Sequence, residues 1–278
     1  MPRYSLLSRL GRAAALVTAT GLLLSACSSG STASADGYVT DGKFTVGTSE
    51  PAYSPWVLDD DPESGEGFES AVAYAVADEL GFAKDDVVWV RTTFDEAIAP
   101  GAKNFDVNIQ QYSITDDRKK NVDFSSPYYV TTQAVITTDA SPAASATSIA
   151  DLKGLLIGAA TGTTSFSAIE DVIAPTAGAQ AFNSNDDAKL ALQNGQVDAL
   201  VVDLPTAFYL TSAELDGGVI LGQLPADGST GDELGLVLDK DSPLTDKVTA
   251  AVDALRENGT LAELEQTWLT DAGAPILQ

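Results

Sequence analysis

Short β-like runs alternate with helical stretches along residues 43–109 and again along 155–221, with one long β-rich segment, 128–138, between the two series. Alternation of this kind builds a sheet of mostly parallel strands with helices on its faces. In the first series, residues 43–49 (KFTVGTS) alternate as a strand. Phe68, Val72, Val76 and Leu80 recur at every fourth position as a helix that Gly81 ends. Residues 87–91 are a strand, 94–99 a short helix before Pro100-Gly101, and 105–109 a strand. The second series repeats the plan: strand 155–160, helix 164–173, strand 179–182, helix 186–194, strand 199–202, helix 204–211 with Pro205 at its first position, and strand 219–221. Residues 131–138 carry the chain out of one lobe into another, and 234–238 (LGLVL) bring it back. Ser242-Pro243 starts a further helix, and a capping box at Thr260-Leu261-Ala262-Glu263 opens the last. The expectation is therefore an α/β protein of two lobes joined by a two-strand hinge, with lobe 1 at 43–131 and 234–278 and lobe 2 at 132–233. Ligands of such sheets bind beyond the carboxyl ends of the strands, here in the crevice between lobes.

Hydrophobic residues make up 44% of the 278-residue chain and charged residues 20%, a globular balance. Forty acidic residues against 15 basic ones give a formal charge of −25, so the surface repels nucleic acid and anionic lipid headgroups. An anionic ligand is not excluded, because a single buried arginine acts locally where solvated surface charge is screened. Arg3, Arg9 and Arg12 flank the start of an apolar run too short for a comfortable membrane span. That run ends in Leu24-Ser25-Ala26-Cys27, which resembles the bacterial lipobox. Residues 1–26 are then an export signal, Cys27 is lipidated and anchors the protein on the extracytoplasmic side of the cell membrane, and 27–42 form a small, polar tether. Cys27 is the only cysteine, so no intrachain disulfide forms. No histidine is present, which removes Ser-His and Cys-His catalysis and most zinc sites; no cofactor or metal is expected.

Three segments lie at or after strand ends. The first, NIQQYSITDDRKKNVDFSSPYY (108–129), brings polar side chains, Arg118 and an aromatic pair to the mouth of the crevice. A guanidinium forms two parallel bonds to a carboxylate, which lysine cannot. In the second, Gly162-Thr163-Thr164 opens a helix, where bare amides attract anions or the threonine simply caps. In the third, Asp203 ends a strand and either meets an ammonium or caps the helix that Pro205 begins. Tyr53 and Trp56, in the proline-rich loop after the first strand, either cover a ligand or cap the core. The acidic stretch 59–67 lacks the spacing of a calcium loop and reads as a solvated turn.

SITDDRKKNVDFSSPYY, GTSEPAYSPW, GFESAVAYAVADEL, GAATGTTSF, GQVDALVVD and the tail from 233 to 269 resemble the solute-binding proteins of bacterial ATP-driven importers, in the family that handles polar amino acids. The resemblance covers about 44–269. It implies a periplasmic-binding-protein-like fold, a monomer that captures an amino acid or similar small polar solute and delivers it to a membrane permease. It also implies roles: Arg118 for the α-carboxylate, helped by Thr163 or Thr164; Asp203 and Ser113 for the α-ammonium; Tyr53 and Phe94 on either side of the ligand. Gln110 and Gln111 stand where the family has smaller residues, and would narrow the cleft. Glu50 stands where relatives often meet a basic side chain. Two other readings use the same scaffold: a ligand-sensing module without transport, and a dehydratase-type enzyme in which Glu50 or Asp203 supplies the acid.

Overall fold

The computed structural model describes residues 36–225, 231–269 and 273–278; the expected export signal, Cys27 and the start of the expected tether lie outside the described residues. From β1 (Phe44–Thr48) the chain runs through α1 (Phe68–Glu79), β2 (Val87–Arg91), α2 (Phe94–Ile98), β3 (Val107–Asn108) and β4 (Val122–Thr131). It continues through β5 (Gln133–Thr138), α3 (Ile149–Leu152), β6 (Ile157–Ala160), α4 (Thr164–Ala168), β7 (Gln180–Phe182), α5 (Asn185–Gln193), β8 (Ala199–Asp203), α6 (Leu204–Tyr209) and β9 (Gly218–Gln223). It then returns as β10 (Asp232–Asp239), α7 (Thr245–Glu257) and α8 (Thr260–Trp268). No described helix is long and apolar enough to cross a membrane.

Two five-stranded sheets result among the described residues, in the orders β2-β1-β3-β10-β4 and β7-β6-β8-β5-β9. β1 pairs parallel with β2 and β3, while β10 runs antiparallel to β3 and β4. All five β1 residues are buried, as a central strand covered on both faces requires. The α1 stripe of Phe68, Val72 and Val76 packs with Phe44, Val46, Leu236 and the α7 residues Val248 and Val252. In the second sheet, neighbouring residues serve opposite faces: Val135 and Val201 join Ile157, Ile169 and Ile173, whereas Ile136, Leu200 and Val202 join Leu192 and Leu210. At the entrance to α1, Gly67 adopts φ 99°, and a Cβ there would come within 2.6 Å of the Trp56 carbonyl oxygen.

Several expectations change. The strand expected over 131–138 is two: β4 ends in the first sheet at Thr131, and β5 begins in the second at Gln133. Tyr128 and Tyr129 therefore belong to the first lobe, both packing on Phe68, and are not at the cleft mouth; the β4–β10 register shifts between Tyr129 and Pro127, an irregularity that breaks the simple alternation there. The strand expected at 105–109 shrinks to two residues, beside which the Asp106 carboxylate accepts the amides of Thr45 and Val39. Thr260 is not an N-cap. Gly259, at φ 87°, holds that position, and the Asn258 side chain accepts the Thr260 N–H. Lobe 1 does not keep the tail to 278. Ile276 bridges Gln223, Ile149 donates to the Gln278 carbonyl, and Leu277 is buried in the second lobe's core. Leu269 thus packs in the first lobe's core and Leu277 in the second's, where Leu277 finds its apolar neighbours.

If the tail stabilises lobe 2, Leu277→Ala lowers unfolding free energy in urea by about 2–4 kcal/mol. Unchanged stability would show that the tail only lies on the surface.

Candidate functional site

The loop after β1, the N-terminus of α2, the turn after β3, the β6–α4 loop, the start of α5 and the end of β8 converge on one cavity of about 440 Å³ between the lobes. Arg118, Asp203, Ser113, Thr163, Thr164, Tyr53, Phe94, Gln111 and Glu50 all line it. The lobes meet around it through Ser113 Oγ and Thr164 Oγ1 at 3.0 Å, and through Trp56 Nε1 donating to Thr206 Oγ1 at 2.9 Å. Trp56 is 1% exposed and packs on Phe68 and Tyr129, so of its two readings the core one describes its place.

Arg118 opens a single 3-10 turn whose backbone N–H reaches Thr115 Oγ1. Its guanidinium is buried, at 8% exposed, and its centre lies 5.2 Å from the Phe94 ring centroid. Nη1 donates to the Ser113 carbonyl at 2.7 Å in the first lobe, and Nη2 to the Gly162 carbonyl at 2.9 Å in the second. No ion pair among the described residues includes it. Burial lowers its pKa from the ordinary guanidinium value, opposed by Tyr112, Asp203 and Asp232. The side chain is thus a fixed cation facing a cavity, with donors left over after two carbonyls are served.

Asp203 holds the other end. It occupies the N-cap position of α6, yet its side chain makes no capping bond; Gln133 Nε2 donates to its Oδ1 at 2.9 Å. Burial, then the Asp232 carboxylate, pushes its pKa up to about 7. Thr163 is the cap of α4, accepting the Phe166 N–H, so its hydroxyl is engaged and its backbone borders the cavity. Tyr53 hydrogen-bonds Asp186 across the cleft, and burial with that carboxylate raises its phenol pKa well above the ordinary value. Glu50 is exposed at the rim.

Gln111 owes its place to a residue outside the cavity. Glu69 on α1 is fully buried and accepts the Gln111 backbone N–H at 2.7 Å, the Gln111 side-chain amide and the Tyr128 hydroxyl. These bonds hold Gln111 at φ 50°, which a non-glycine residue rarely adopts. Sequence reading missed the α5 start, where Asn183, Ser184, Asp186 and Asp187 join the lining. Their position just after β7 is the same strand-end signal that marked Arg118.

Residues 44–271 match the model of the bacterial extracellular solute-binding proteins, family 3. The chain is 30% identical over 240 residues to the L-arginine-binding protein of Pseudomonas aeruginosa, covering 84% of this chain and 90% of that one. It is 26% identical over 290 residues to the glutamate-binding protein GluB of Corynebacterium glutamicum, covering 96% and 95%. A crystal structure of an ancestral amino-acid-binding protein, described as a precursor of cyclohexadienyl dehydratase, superposes with a TM-score of 0.68 at 30% identity, covering 82% and 96%. The fold and the interlobe cavity are those of a two-lobed extracellular binding protein. The chain belongs to the bacterial extracellular solute-binding proteins of family 3.

Burial raises the Glu69 pKa from 4.5 to about 7, so the folded state binds a proton that the unfolded state has released between those values. This contribution to stability is fully present below pH about 4.5 and is lost as pH rises through about 7, on the order of 3 kcal/mol. Glu69→Gln should flatten the fall in Tm between pH 5 and 8 relative to the parent. Parallel pH profiles would remove Glu69 as the cause.

Proposed function

We propose that the protein captures a free amino acid between its lobes and presents the closed form to the permease of an ABC importer, anchored through lipidated Cys27 outside the cytoplasm. The observation that carries this reading is Arg118: a buried guanidinium, tied to both lobes, facing a cavity with no carboxylate paired to it among the described residues. An α-carboxylate supplies the missing charge by bidentate bonds, with the Thr163 and Thr164 backbone beside it. Asp203 takes the α-ammonium, assisted by Ser113, and an arriving cation lowers the carboxyl's raised pKa. Tyr53 and Phe94 flank the side chain. No chemistry on the ligand is part of this mechanism: Asp203 is held by an amide, and Glu50 stands exposed at the rim.

The cavity's charge favours a basic side chain. Once a zwitterionic head has matched Arg118 and Asp203, Glu50, Asp95, Asp186 and Asp187 remain in the lining, with no second cation among the lining residues. Lys189, 2.9 Å from Asp186, offsets part of this from behind. Relatives named for arginine and for glutamate occur alike, so the local charge decides, and it opposes an acidic side chain.

Arg118→Ala should fold and lose at least about a hundredfold in amino-acid affinity, since removing one side of a buried ion pair costs about 3–5 kcal/mol. Affinity within threefold of the parent would refute the carboxylate site. Calorimetry with L-arginine and its neutral isostere L-citrulline tests the side-chain reading. The cation should bind roughly tenfold or more tightly, by a margin that shrinks in salt. Equal affinities would end that preference without touching the Arg118 site.

A further inference from the structure

The Asp203 carboxylate has two places to go. As the N-cap residue of α6 it is positioned to accept amides of the first turn, the commonest use of an aspartate there. It makes no such bond, and instead lines the cavity. Its Oδ1 accepts instead from Gln133, the first residue of β5 and its antiparallel partner in the sheet.

Gln133 is 8% exposed and every polar atom of its amide is engaged. Oε1 accepts the Ser165 hydroxyl at 2.6 Å. Nε2 donates to Asp203 Oδ1 at 2.9 Å and to Asp232 Oδ2 at 2.7 Å, with Thr164 Oγ1 a longer third contact at 3.3 Å. The opposite amide orientation would point Oε1 at two carboxylates, so Asp232 and Ser165 together lock the turn of the amide. Asp232 arrives from the other side of the hinge: it begins β10, paired with Thr131 at the end of β4, two residues before Gln133. Neither Gln133 nor Asp232 is in the cavity lining. Both crossing strands therefore meet behind the ammonium end of the site.

We propose that Gln133, locked by Asp232 and Ser165, is a positioning residue that turns the Asp203 carboxylate out of the helix cap and into the cavity, and so sets the protein's preference for ligands with an α-ammonium. The inference rests on the reading of Asp203 as the ammonium site, and the following experiment separates the two. Calorimetry on the parent and on Gln133→Met uses two matched pairs differing only in the α-ammonium: L-arginine with 5-guanidinopentanoate, and L-glutamine with 4-carbamoylbutanoate. In whichever pair binds, the parent should prefer the amino acid. Gln133→Met should cut that preference about tenfold or more, while affinity for the des-amino partner moves less than about threefold. Circular dichroism establishes that the variant is folded; should it fail to fold, Gln133→Asn keeps a neutral amide but draws it back by one methylene from Asp203, and carries the same expectation. Retained preference, or equal loss for both partners of a pair, overturns the positioning role while leaving the ammonium site standing. A parent with no preference in either pair overturns both.

Discussion

A guanidinium withdrawn from water and not matched by a carboxylate is an unstable arrangement unless something else receives its hydrogens. Here Arg118 spends two donors on backbone carbonyls, one in each lobe, and keeps its remaining charge directed at the cavity. The same side chain bonds to both lobes and, on the reading proposed above, receives an anion between them. Closing the cleft around a carboxylate satisfies both requirements at once, which gives a physical reason for ligand and lobe closure to be coupled.

The rest of the cavity follows from how its walls are charged. The acid least open to screening is Asp203, buried at the inner end, while the partly exposed Asp186 reaches Tyr53 across the opening. Burial penalises the charge of Asp203 and raises its pKa, and an arriving cation relieves that penalty. Glu69 shows the same chemistry put to a structural end, with a buried carboxyl fixing the backbone of Gln111 through hydrogen bonds and without a cation.

Much of this was legible in the sequence because its causes are local. The apolar period of α1, the strand at 87–91, and the glycine and proline punctuation placed most elements within a residue or two. The residues chosen at strand ends, from Tyr53 to Asp203, do line one cavity, since the carboxyl ends of parallel strands point the same way. What stayed hidden depends on partners distant in sequence. Nothing near Gln133 announces that Asp203 and Asp232 will flank it, and nothing near Leu277 says that its pocket lies on the second sheet. Thr260 misled because the capping-box pattern was intact while Gly259, free to adopt a positive φ, took the cap position instead. Tyr128-Tyr129 misled because a polar neighbourhood concealed a strand whose irregular register at this point lets both rings pack on Phe68.

The most direct measurement leaves the protein unaltered and changes only the ligand's acid end. Calorimetric Kd values for L-arginine and L-glutamine, each against its α-carboxamide, isolate the charge that Arg118 is held to receive. Each amide should bind at least about a hundredfold more weakly than its acid, the cost of leaving a buried cation unmatched. Amide and acid binding with equal affinity would contradict the carboxylate role of Arg118.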